Sequence, residues 1–155
     1  MTLAFELLTD PNITSLSAEK RLEMAYVIAR ASGSFGMVGG QALDIAHENK
    51  DFPFEMLKTI HRNKTGALII ASIHCGAIGC NADADQTEAL LEYGRHLGLA
   101  FQIVDDLLDA TSTTAELGKK AGSDQILGKA TYPAYFGIEK TRKKAEKAVS
   151  SARKS

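Results

Sequence analysis

Few cysteines, no long apolar run and almost no net charge each remove a class of protein. The 155 residues include two cysteines, Cys75 and Cys80. Both sit in an apolar helical stretch, unlike the disulfide framework of a small secreted domain, and read as reduced thiols. His74 adjoins Cys75, but no second ligand pair follows at finger spacing, which argues against zinc. No apolar run reaches the roughly eighteen residues that a bilayer span needs, and no charged segment leads into a cleavable apolar core at the N-terminus. A cytoplasmic protein without a membrane span is therefore expected. A net charge of -1 gives no general pull toward nucleic acid or anionic lipid. The run Lys140, Arg142, Lys143, Lys144 and Lys147 lacks interleaved aromatics and reads as a solvated helix face, with no nucleic-acid role. Strand alternation and internal repeats are also missing. With 45% hydrophobic and 24% charged residues, the sequence predicts one soluble all-α domain, its helices packed antiparallel around a central cavity.

The helices can be placed from caps and apolar spacing. Residues 3–9 read as the tail of a helix that begins before the chain does, ended by Asp10-Pro11-Asn12. Ser17 caps a helix predicted to run from 18 to 47, with Leu22, Ala25, Tyr26 and Ala29 as its apolar stripe. Gly33, Gly36, Gly39 and Gly40 weaken that helix but let a neighbour approach closely. Pro53 opens the next helix in its first turn, and Gly76 and Gly79 end its apolar run. A further helix covers Gln86 through Asp109, Thr111 to Thr114 form a loop, and Pro133 begins the last helix.

Chemistry concentrates near the end of the fourth segment. Asp105, Asp106 and Asp109 sit inside an otherwise apolar helical run, where ionised groups are costly to bury. Asp105 and Asp109 are four apart and Gln102 three before Asp105, so they share one face. Leu97, Ala100, Phe101, Val104, Leu107 and Leu108 occupy the adjoining face, expected to pack into the core. Paired acids repel unless a cation lies between them, and hard oxygen ligands suit magnesium. A solvated acidic face near a helix end explains the same pattern equally well. Gly118-Lys119-Lys120-Ala121-Gly122 and Gly128-Lys129 follow closely, placing lysines on tightly turning backbone suited to phosphate oxygens.

Four motifs together carry a resemblance: GGQALD (39–44), HRNKTGAL (61–68), FQIVDDLLD (101–109) and LGKKAGSDQILGKATYP (117–133). In this order the sequence resembles the C-terminal half of the trans-isoprenyl diphosphate synthases, particularly the bacterial farnesyl and geranylgeranyl diphosphate synthases. The resemblance implies that 1–155 is the C-terminal part of a polyprenyl synthase domain of isoprenoid synthase fold, with the N-terminal half missing. It also implies a magnesium-dependent prenyltransferase that condenses an allylic diphosphate with isopentenyl diphosphate, homodimeric at full length. Asp105, Asp106 and Asp109 would serve the metal, with Asp105 the principal ligand. Lys64, Thr65, Gln102, Lys119 and Lys129 would hold the diphosphate, and Lys64, Thr65 and Lys119 would be catalytic. Gln41, Asp44 and His61 would line the surrounding pocket. Such synthases carry a first aspartate-rich motif upstream that these residues do not contain, so the fragment alone is expected to be inactive. The alternative is a non-catalytic magnesium-diphosphate binder or the partner subunit of a heteromer.

Overall fold

Side-chain caps fix three of the helix starts. The protein is described from a computed structural model covering residues 1–12, 15–112 and 129–155. Helix α1 spans Thr2–Thr9 and stops at Asp10, before Pro11. Helix α2 (Ala18–Ser32) begins where the Ser17 hydroxyl accepts the Lys20 amide. Helix α3 is Met37–Ala46. Helix α4 (Phe54–His61) runs through a π-helical turn, Arg62–Gly66, into α5 (Ala67–Gly79). Helix α6 (Ala84–Thr111) opens on a reciprocal cap: the Asp83 carboxylate accepts the Gln86 amide, and the Gln86 side chain accepts the Asp83 amide. Helices α7 (Tyr132–Phe136) and α8 (Ile138–Ala152) complete the order. Among the described residues every regular element is helical.

Four boundaries depart from expectation. Helix α6 runs two residues beyond the predicted 86–109 at each end, so that Thr111, expected to open a loop, is helical, while Thr113 and Thr114 of that loop lie outside the described residues. The helix predicted over 18–47 is two helices, because the chain turns through Gly33–Gly36 and restarts at Met37. Pro53 sits just before the first turn, its ψ of 146° extended, and α4 begins at Phe54. The last helix is divided by Gly137, whose φ of +75° suits glycine and disfavours any side chain.

Helix α6 lies between α5 and α8, α2 packs on α5, and α3 packs on the π turn. The core joins Leu57, Ala100, Ile103, Tyr132, Ala145 and Ala148. Phe54 meets Tyr132, Tyr135 and Phe136 edge-on at 5.1, 5.4 and 4.7 Å, and the Tyr135 hydroxyl donates to the Phe52 carbonyl. These contacts tie α7 to α4. Full burial of a side chain such as Ile103 stabilises the fold by about 2 kcal/mol.

The core-facing side of α6 matches the predicted one only in part, through Ala100 and Leu107. Gly94, Gly98, Ala100, Ile103, Asp106 and Asp109 are buried, whereas Phe101 is 57% exposed and Val104 and Leu108 are also exposed. Close helix approach explains the choice. A Cβ on Gly98 would lie 3.2 Å from the Cα of Gly66, so only the small-residue side of α6 fits against its neighbour. On α2 likewise, Met24 is buried while Leu22 and Tyr26 face outward. No helix of the described residues is long and apolar enough to cross a membrane.

Candidate active site

The site is organised around the π turn, which places one more residue per turn than an α-helix and commonly marks functional positions. Its neighbouring residues Lys64 and Thr65 reach different helices. Lys64 Nζ lies 2.6 Å from Asp44 Oδ2 on α3, while Thr65 Oγ1 donates to Gln102 Oε1 on α6 at 3.0 Å. Helix α3 comes close because residue 40 is glycine: a Cβ there would lie 2.2 Å from the Lys64 amide nitrogen.

Gln102 extends the network. Its Nε2 donates to Asp106 Oδ1 at 3.1 Å, and Asp106 Oδ2 accepts the Tyr132 backbone amide at 2.8 Å. This answers part of the conflict between a carboxylate and the C-terminal end of a helix. A buried carboxylate is tolerated when N–H donors reach it. The Thr131 hydroxyl accepts the Ala134 amide, so α7 carries its own cap beside this contact.

A cavity of about 170 Å³ opens among these groups, lined by Asp44, His61, Lys64, Thr65, Phe101, Gln102, Asp105, Asp106 and Lys129. The structure thus brings together most of the residues singled out from sequence. Asp109, expected to share a face with Asp105, lines a separate cleft with Asp106 and Lys129. The reason is angular: Asp106 and Asp109 fall on the buried side of α6, and half-buried Asp105 sits at its margin. Gln41 is exposed and lines a shallow groove with Met37, Val38 and Ile45 that also reaches Lys64 and Thr65. Lys119 lies outside the described residues, as does the rest of the glycine–lysine segment up to Gly128.

His61 stacks on Tyr132 with ring centroids 5.8 Å apart and planes 17° from parallel. Burial pulls its pKa down to about 4; the Asp44 carboxylate opposes that shift and the Lys64 ammonium adds to it. The ring is therefore neutral near neutral pH. Burial also pushes the Tyr132 phenol up to about 12, assisted by the Asp106 and Glu55 carboxylates.

Magnesium fits the donor chemistry here. Among the described residues no three His, Cys, Asp or Glu side chains converge as a complete metal cage. Asp105 nevertheless lines a cavity with two lysines and two threonines, and magnesium commonly takes one or two carboxylates and completes its shell with phosphate oxygens and water. The π turn and the Asp106 contact to Tyr132 were not foreseen. The first leaves no mark in apolar spacing; the second was signalled only by Thr131 and Pro133 at a helix start.

Comparisons with known proteins give the family and the fold. The polyprenyl synthetase family model matches residues 1–155. The farnesyl diphosphate synthase of Escherichia coli (strain K12) is 46% identical over 155 residues, which cover 99% of this chain and 52% of that protein. The farnesyl diphosphate synthase of Geobacillus stearothermophilus is 43% identical, over 93% of this chain and 48% of that protein. The crystal structure of geranyltransferase from Helicobacter pylori, complexed with magnesium and isoprenyl diphosphate, matches with a TM-score of 0.84 at 30% identity. That match covers 97% of this chain and 48% of the other. An apo FPP/GFPP synthase from Zymomonas mobilis matches with a TM-score of 0.79 at 37% identity, over 97% of this chain and 49% of the other. The chain spans about half the length of these relatives. Over that half its helices adopt the all-α isoprenoid synthase fold, and with the family model matched from end to end the chain belongs to the polyprenyl synthetase family.

Proposed function

We propose that this chain forms the diphosphate-holding half of a prenyltransferase site, in which an allylic diphosphate ionises and the resulting cation alkylates isopentenyl diphosphate. One observation carries the reading: Lys64, Thr65, Gln102, Asp105 and Lys129 line a single small cavity although they come from the π turn, α6 and the approach to α7. Lys64 and Lys129 would bind diphosphate oxygens. Asp44 already holds the Lys64 ammonium at 2.6 Å, so that charge is set before a substrate arrives and costs little reorganisation. Asp105 would offer its carboxylate to magnesium, with Asp106 and Asp109 behind it. Magnesium, when bound, supplies charge neutralisation for the departing diphosphate. Lys119 joins the diphosphate-binding set by resemblance alone. We place the protein in the cytoplasm and, by likeness to full-length members of the family, in a homodimer.

Calorimetry with pyrophosphate, with and without magnesium, tests the reading. Each ligand should tighten the other, and Asp105→Asn should remove that coupling more fully than Asp106→Asn. Two ligands that bind with no influence on one another would sink the proposal. These 155 residues contain one aspartate-rich motif, so transfer from geranyl diphosphate to labelled isopentenyl diphosphate is expected to be undetectable with them alone; turnover at a full synthase's rate would refute this. A second reading, a non-catalytic partner within a heteromer, draws support from the outward-facing Phe35, 75% exposed, and Val38.

A further inference from the structure

We propose that Asp106 is a positioning residue that sets the direction of the Thr65 hydroxyl, so that Thr65 presents lone pairs and no proton to the cavity. The inference rests on the site proposed above and assigns Thr65 a different ligand partner within it.

Three hydrogen bonds run in series from α7 to the π turn. The Tyr132 amide donates to Asp106 Oδ2 at 2.8 Å, Gln102 Nε2 donates to Asp106 Oδ1 at 3.1 Å, and Thr65 Oγ1 donates to Gln102 Oε1 at 3.0 Å. The chemistry of the ends dictates the direction of the middle. A peptide N–H can only donate, and the Asp106 carboxyl accepts at both of its oxygens. Gln102 must therefore turn its NH2 toward Asp106, which leaves its carbonyl facing Thr65. A carbonyl can only accept, so the hydroxyl proton of Thr65 is committed to the network. Thr65 lines the cavity and offers only oxygen lone pairs there. Such a group attracts a cationic centre and repels a diphosphate oxygen. Lys64 and Lys129 face the anionic part of the ligand, and Thr65 faces the metal ion or another positive centre beside it. Asp106 thus acts on the ligand through two other side chains.

The series can be reversed without changing its shape. In Asp106→Asn the asparagine carbonyl can keep the Tyr132 amide, and its NH2 then points at Gln102. Gln102 must flip, its NH2 now donates to Thr65, and the hydroxyl proton turns into the cavity. Adding Gln102→Glu restores the original direction, because a glutamate accepts from both the asparagine NH2 and Thr65. The double variant also keeps the wild-type charge.

Two measurements on the 155-residue chain test this. Nuclear Overhauser contacts between the Gln102 side-chain amide protons and the Thr65 methyl should be weak in the wild type and strong in Asp106→Asn. Magnesium-dependent pyrophosphate affinity should fall about tenfold in Asp106→Asn, the scale of one hydrogen bond to an ionic partner, and return to within about threefold of wild type in the double variant. Strong amide-to-methyl contacts in the wild type, or a double variant no better than the single one, would overturn the proposal. If Asp106→Asn fails to fold, the wild-type spectrum and the double variant still decide. If the wild type shows no coupling of magnesium and pyrophosphate, the proposed function fails while the contact pattern still tests the direction of the series.

Discussion

Lowering the pH should destabilise the folded chain through His61 in a window where few other groups titrate. The ring is stacked on Tyr132, and its Nδ1 is buried without a hydrogen-bond partner. Its pKa is about 4 in the folded state against 6.5 for the free side chain. Between those values the unfolded chain takes up a proton that the folded chain refuses. Stability is therefore intact above about pH 6.5 and is lost as the pH falls toward 4. With these two pKa values the loss between about pH 7 and about pH 5 is roughly 2 kcal/mol. The control is His61→Phe, which keeps a flat ring on Tyr132 and cannot titrate. Urea melts of both proteins across that range isolate the term, because shared carboxylate titrations cancel in the difference. Wild type should lose about 2 kcal/mol more than the variant. Parallel curves would show that the ring is hydrated or protonated in the folded state, and the proposed neutral wall of the cavity would fall.

Gly40→Ala should cost about 2 kcal/mol or more in thermal or urea melts, since the new methyl would overlap the Lys64 backbone and one of the two helices must move. Pyrophosphate affinity should fall with it, because displacing α3 carries Asp44 away from Lys64. The outward-facing Leu22, Phe35, Val38 and Phe101 should drive self-association or dye binding, read by light scattering and an apolar fluorescent probe. A strictly monomeric chain that melts sharply and binds no dye would contradict this.

Much of this was legible in the amino-acid order. Ser17 announces a helix start through chemistry that needs no tertiary partner, the Asp83–Gln86 pair does so two residues ahead of the start expected at Gln86, and the helix carrying Asp105 is long enough for its period to be unmistakable. Which side of that helix faces inward was not legible. Apolar spacing put Phe101, Val104 and Leu108 beside Ala100 on the inward face, but packing distance kept Ala100 and brought in Gly94 and Gly98 instead of the larger three, and distance between helices is set by partners remote in sequence. The same limit applies to the acids. Residue spacing grouped Asp105 with Asp109, whereas burial groups Asp106 with Asp109, because the Tyr132 amide arrives from an element 26 residues later. Lys64 and Thr65 were marked by their motif, yet nothing in it reveals that one leans on α3 and the other on α6.

The π turn makes 54–79 a single rod with a phase slip in the middle. Ahead of the slip Leu57 and Ile60 are buried; beyond it Ala71 and Ala77 are buried, on the part of the rod that packs against α2 and α6. Removing one residue between Arg62 and Gly66 would let an uninterrupted α-helix form, with better local hydrogen-bond geometry. Because the wide turn spends one extra residue on a rotation that an α-helix makes without it, the flanks would keep their relative orientation. Leu57 and Ile60 would stay in the core and Phe54 on Tyr132 and Phe136, while Lys64 and Thr65 would lose their separate reach to α3 and α6. The rod thus gives up local hydrogen-bond geometry to present two adjacent side chains to two helices. Single-residue deletions inside the turn should therefore leave folding intact and weaken pyrophosphate binding, whereas deletions elsewhere in the rod, each turning one flank by about 100°, should cost folding.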